Sequence, residues 1–158
     1  MTTKTITRTE FMKLTGASVV GVCAGSLAFW GCSAMSSAPL APEGSYRREA
    51  DLLIVSLAAV DELNTVGGAV RLALENGSGS KVKVLVVRSA ADVYLAFANR
   101  CTHNGKELDY RHGQSRVQCI SGKSHFDLAG NITKGPAEGA LLRYPAHLDG
   151  DDLVIDLA

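Results

Sequence analysis

Two short stretches bring together side chains able to bind a transition metal. The first reads Cys101-Thr102-His103-Asn104-Gly105-Lys106, and the second Val117-Gln118-Cys119-Ile120-Ser121-Gly122-Lys123-Ser124-His125-Phe126-Asp127. A cysteine and a histidine two residues apart can both point from one tight loop toward a metal. Thiolate and neutral imidazole are the donors expected at iron–sulfur and zinc sites. Two such loops on neighbouring β-hairpins would enclose a site from both sides. On ligand type alone, Cys101, His103, Cys119 and His125 also satisfy a mononuclear zinc or iron site. A Cys-x-His pair by itself is not specific. The remaining histidines fit other roles: His112 reads as a solvated loop residue and His147 as a partly buried structural side chain on a strand. No Ser-His-Asp set, no paired carboxylates and no phosphate-cradling glycine loop can be read from the spacing.

The elements that must position these loops read as short strands separated by turns. Residues 52–60 and 66–74 are apolar runs, with Gly67-Gly68 marking a bulge or a close backbone approach. Asn76-Gly77-Ser78-Gly79-Ser80 signals a turn. Residues 81–88 begin with alternation and end as a buried run of β-branched residues. Residues 93–98 form a strand ending just before Cys101, and 117–120 a short one containing Cys119. Residues 126–128 and 131–133 flank Ala129-Gly130, while 141–148 and 153–157 flank the turn Asp149-Gly150-Asp151-Asp152. The one soluble helix expected is weak, near Asp61 or Ala91. The fold class is all-β, with antiparallel sheets and long loops near the two cysteines, preceded by an N-terminal apolar helix.

From about Ala98 to Leu157 the chain resembles the Rieske iron–sulfur domain, whose loops read Cys-x-His, then 15 to 17 residues, then Cys-x-x-His. Here 15 residues separate His103 from Cys119. Phe126-Asp127-Leu128-Ala129-Gly130, the Lys134-Gly135-Pro136-Ala137 loop and the closing Leu142-Arg143-Tyr144-Pro145 also fit the pattern. The resemblance implies a 2Fe–2S cluster with Cys101 and Cys119 on one iron and His103 on the other. It places Ser124, Phe126 and Pro136 beside the cofactor. The fourth ligand falls on Gly122, which has no side chain to offer. His125, three residues later, is near enough to substitute if the loop rearranges. Water, Ser121, Ser124 or a partner's residue would be alternatives, and a third reading has no cluster at all. The resemblance further implies that Ser124 bonds a bridging sulfur and that Phe126 lacks a hydroxyl its relatives use toward a cysteine sulfur. Lys106 and Ser121 stand where high-potential members carry a disulfide. Fewer donors to the sulfurs imply a potential below that of quinol-oxidising members.

The 158 residues are 46% hydrophobic and 20% charged, with 16 basic and 16 acidic side chains. Zero net charge and 6% aromatic content argue against a nucleic-acid partner. Only one long uncharged run exists, residues 14–31, which excludes a polytopic membrane protein. As a helix it would reach roughly 27 Å, near the thickness of a hydrocarbon core. Preceded by Lys4, Arg8 and Lys13, it has the pattern of an export signal or anchor. Thr7-Arg8-Thr9-Glu10-Phe11-Met12-Lys13 resembles a twin-arginine export signal with Thr9 in place of the second arginine. Gly31-Cys32-Ser33 resembles a lipidation site. Cys23, inside the run, is a small hydrophobe.

These features predict a signal or anchor over 1–38, a linker over 39–49 and a Rieske-like domain over 50–158. The function expected is single-electron transfer outside the cytoplasm, in the periplasm or on the outer membrane face. The partner expected is a cytochrome or a quinol-oxidising complex, with membrane attachment through the N-terminal segment. A cluster-free interaction module is the alternative. An oxygenase ferredoxin is disfavoured by the leader, and quinol oxidation itself by the loss at Gly122.

Overall fold

Aliphatic and aromatic residues fill 84–87 and 94–97 without a break, the composition of strands covered on both faces. The computed structural model, which describes residues 37–75 and 81–158, shows why. Among the described residues twelve strands are formed, in chain order: β1 (Tyr46–Glu49), β2 (Leu52–Ser56), β3 (Ala69–Glu75), β4 (Lys81–Ala90), β5 (Val93–Ala98), β6 (Leu108–Arg111), β7 (Arg116–Cys119), β8 (His125–Phe126), β9 (Ile132–Lys134), β10 (Arg143–Tyr144), β11 (Ala146–Asp149) and β12 (Asp152–Asp156). They make three antiparallel sheets, ordered β1-β2-β12-β11, β10-β5-β4-β3 and β6-β7-β8-β9.

The middle sheet separates two cores. Side chains alternate across a strand, so Val84 and Val86 of β4, with Tyr94 and Ala96 of β5, face one core. That core also contains Leu53, Val55, Leu153 and Ile155 of the first sheet. Leu85, Val87, Leu95 and Phe97 face the other, which they share with Leu108, Val117, Phe126 and both cysteines. The cysteines therefore belong to a packed layer, with Cys101 1% and Cys119 0% exposed.

The all-β expectation holds, and several boundaries change. Residues 39–49, expected to be a linker, carry β1 and an extended strap along β3. Arg71 N–H donates to Pro39 O at 2.8 Å and Ala41 N–H to Arg71 O at 2.9 Å. Ala38 is 4% exposed, and Ser37 donates to Asp109 through both its N–H (3.2 Å) and its hydroxyl (2.5 Å). Small and proline residues suit a strap laid on a sheet as well as a free linker. The folded part thus includes residues assigned to the leader and linker. The weak helix near Asp61 is a 3₁₀ turn, Asp61–Asn64; near Ala91 there is instead the β4–β5 turn, with Asp92 at φ 56°. The run 141–148 is divided at Pro145, which cannot donate to a ladder, and β10 and β11 join different sheets. His147 is exposed rather than partly buried. His112 is exposed in the 3₁₀ turn His112–Gln114, with Nδ1 2.9 Å from the Tyr110 hydroxyl. Gly68 makes the close backbone approach, because a Cβ there would lie 1.6 Å from Glu62 O. The leader, Cys23, Cys32, the N-terminal apolar helix and the turn at 76–80 lie outside the described residues.

Candidate metal centre

Both cysteines sit at the mouths of tight loops closed by glycines in the left-handed conformation, which carries little penalty without a Cβ. After β5 the chain turns so that Cys101 N–H donates to Lys106 O at 2.7 Å and Gly105 N–H to Cys101 O at 2.8 Å, with Gly105 at φ 70°. After β7 the same device recurs. Gly122 N–H donates to Cys119 O at 2.7 Å with φ 72°, and Cys119 N–H donates to Ser124 O at 2.9 Å. A third segment, after β9, locks both. Thr102 Oγ1 donates to Gly139 O at 2.7 Å, and a Cβ on Gly135 would lie 1.9 Å from Lys123 O.

The loops bring the two sulfurs together, close enough for the Cys119 thiol to raise the pKa of Cys101. Burial pushes the Cys101 thiol up, while the N–H groups of His103 and Asn104, aimed at its sulfur, pull the other way. The Cys119 sulfur receives the Ser121 hydroxyl at 3.1 Å and lies 3.6 Å from Asn104 Oδ1. An open cavity of about 550 Å³ is lined by Cys101, Thr102, His103 and Asn104 with Ala140 and Leu142. Two buried polar atoms in these loops have no hydrogen-bond partner, His103 Nδ1 and Ser124 Oγ. Such atoms cost free energy unless something satisfies them.

The other candidates are placed differently. Phe126 is fully buried in the core that holds both cysteines. Pro136 is exposed on the third segment, beside Gly135. His125 pairs across the ladder with Gln118 on one side and Lys134 on the other. Paired residues share a face and neighbours along a strand do not, so His125 stands with Gln118, on the face opposite Cys119. Its Nε2 lies 3.2 Å from Gly122 O. Its pKa is lowered by burial first and then by Arg116 and Lys134. A swing of this ring toward the sulfurs is not what the ladder positions it for. Among the described residues no three His, Cys, Asp or Glu side chains gather around one point. The single-metal Cys2His2 set is therefore not assembled.

Residues 56–145, more than half of the chain, match the model of the Rieske [2Fe-2S] domain. The chain belongs to this family. The solved structures similar to it include the following two. One is the cyanobacterial plasma membrane Rieske protein PetC3 from Synechocystis PCC 6803, 23% identical over 54% of this chain and 85% of that one, with a TM-score of 0.45. The other is the ferredoxin of carbazole 1,9a-dioxygenase from Nocardioides aromaticivorans IC177, 21% identical over 61% and 93%, with a TM-score of 0.49. No curated protein matches the chain.

The Rieske family implies a 2Fe–2S cluster, and the residues present fit most of one. Two adjacent buried thiols suit the first iron, and the partnerless Nδ1 of His103 has the chemistry of a ligand atom for the second. The orphaned Ser124 hydroxyl suits a hydrogen bond to an inorganic sulfide. The fit ends at Gly122, where a Cβ would meet nothing within 4 Å. Sequence reasoning missed the Ser121 hydroxyl on the Cys119 sulfur. It supplies a donor where Phe126 has none, so the expectation of fewer sulfur donors is corrected by one. A serine two residues after a ligating cysteine, in a turn closed by glycine, was the available signal.

Proposed function

We propose that this Rieske-family chain carries single electrons on a 2Fe–2S cluster held by Cys101, Cys119 and His103, outside the cytoplasm. It would serve a membrane respiratory complex of the quinol or cytochrome type as subunit or partner. The observation that carries the reading is the approach of two buried thiols from different loops, with a buried imidazole nitrogen that has no partner two residues along the first of those loops. When bound, the cluster supplies reversible one-electron oxidation and reduction at a potential set by its ligands and their hydrogen bonds. The chain's own residues do the rest. The loop closures at Gly105 and Gly122 fix the direction of each thiol. Ser121 donates to the Cys119 sulfur, and the Phe97–Phe126 core beneath excludes water. No second-loop imidazole faces the cavity to accept a proton, so electron transfer fits this site better than quinol deprotonation. The location rests on the basic start and uncharged run of the sequence.

The test is iron and sulfide analysis of the full chain made under iron-replete conditions, with the paramagnetic spectrum of the reduced protein. Equal iron and sulfide and a Rieske-type spectrum are expected, with both lost in Cys101→Ser and Cys119→Ser. Iron-free protein after anaerobic reconstitution would overturn the carrier and leave a cluster-free module.

A further inference from the structure

The charges of this domain are sorted by position. Arg100 and Lys106 lie in the first loop, Lys123 in the second, Lys134 and Arg143 beside the third segment. All five are exposed, and none has an ion pair. Acids in these loops are few. Glu107 is already engaged by Arg71 (2.5 Å) and Lys83 (2.8 Å), which leaves Glu138. A groove of about 410 Å³ beside the cysteine cavity is lined by Arg100 and Tyr144 with the ion-paired Lys81, Lys83 and Glu107. Arg100 lines both cavities. In the lining of the cysteine cavity Leu142 is 59% exposed. The sheet β1-β2-β12-β11 has the reverse balance. Its two cations, Arg47 and Arg48, are ion-paired to Glu49, Asp152 and Asp51, while Asp149, Asp151 and Asp156 have no ion pair.

We propose that the cysteine-loop end is a docking surface for an acidic face of a partner protein, with Leu142 at its apolar centre and Arg100, Lys106, Lys123, Lys134 and Arg143 as its rim. An exposed aliphatic side chain inside a charged border is the anatomy of a transient protein interface. Unpaired cations steer an oppositely charged face and fix its orientation. The cations are spread over four chain segments, so no single pocket gathers them on a small anion. Nucleic acid would need exposed stacking rings among them, and Tyr144, half-buried, is the one aromatic side chain at the groove. Docking here would place the partner beside Cys101 and His103. Only the partner's identity as an electron donor or acceptor rests on the function proposed above.

The test is fluorescence anisotropy of a labelled deca-aspartate peptide with the full chain, against deca-lysine as the comparison. Binding of deca-aspartate is expected to weaken about tenfold or more between ~10 mM and ~150 mM salt, as the Debye length falls from about 30 to about 8 Å. The double variant Arg100→Glu, Lys123→Glu should bind at least about tenfold more weakly, equivalent to about 1.4 kcal/mol. If that variant fails to fold, Lys106→Glu with Arg143→Glu replaces it, with folding checked by circular dichroism. Affinity within about twofold of wild type in the folded variant, or equal binding of deca-lysine to the same loops by amide chemical shifts, would overturn the proposal. Anisotropy is read without iron. An iron-free protein that still binds deca-aspartate removes the carrier and leaves the surface, whereas a loaded protein that ignores it does the opposite.

Discussion

Gly135 is the position where the loops can be pried apart with least chemical change. A methyl group there would lie 1.9 Å from Lys123 O, 2.7 Å from Lys123 C and 2.9 Å from Ser124 Cα. These are backbone atoms, so no flexible side chain can move aside. Ordinary contact begins near 3.4 Å, which requires the second loop to retreat by about 1.5 Å. Forcing an L side chain to φ 94° adds roughly 1 kcal/mol, and overpacking a tight contact costs about 1–3 kcal/mol. Gly135→Ala should therefore destabilise by about 3 kcal/mol, or roughly 10–15 °C in melting temperature for a domain of this size. Thermal unfolding followed by circular dichroism measures it. Gly113→Ala is the control, since a Cβ there meets nothing within 4 Å, and it should stay within about 0.5–1 kcal/mol of wild type. If the two variants melt together, the second and third segments are not in contact, and the argument for three converging loops fails.

Glu107→Gln should cost about 1–2 kcal/mol at pH 7, because it weakens two charge-assisted bonds at a partly exposed site. Its carboxyl is held below the ordinary value by Lys83 first and then Arg71, with burial opposing them. A lowered acid stabilises above its unfolded pKa of about 4.5 and loses that contribution as pH falls through the folded value. The gap between variant and wild type in urea midpoint should therefore close below pH 4.5. A chain beginning at residue 45 should have a lower urea midpoint than one beginning at 37, by about 2–4 kcal/mol in stability. It loses buried Ala38, the Ser37–Asp109 bonds and two backbone bonds to Arg71. Gly122→His should fold, since the space is open and histidine tolerates φ 72° at about 1 kcal/mol, and it should change the paramagnetic spectrum of the loaded protein, whereas His125→Ala should leave it unchanged. Ser121→Ala should lower the reduction potential in a redox titration, because it removes the hydroxyl from the Cys119 sulfur.

The donors and their loops were legible because they are local. Cys101-Thr102-His103 and Cys119-Ile120-Ser121-Gly122 sit in turns whose glycines are visible in the chain, and metal chemistry restricts which residue types can serve. The run over 84–87 was legible as a buried strand, since covering both faces removes the polar alternation. Strand β6 was not, because Asp109 in Leu108-Asp109-Tyr110 reads as a loop residue until Ser37 and Arg111 are seen to satisfy it. The role of residues 39–49 was hidden for a related reason: Pro, Ser and Ala describe a linker equally well until Arg71 provides a partner distant in the chain. His125 shows the limit most sharply. Proximity along the chain made it a candidate ligand, and the β8 register, set by pairing with β7 and β9, turned it to the other face. By itself the amino-acid sequence determined which atoms could bind iron and that the chain is a β protein of this family. Only the tertiary structure decided that the two thiols approach one another, that Gly122 leaves open space and that the cations of the cysteine loops go unpaired, because those depend on pairings between segments whose separation no local propensity records.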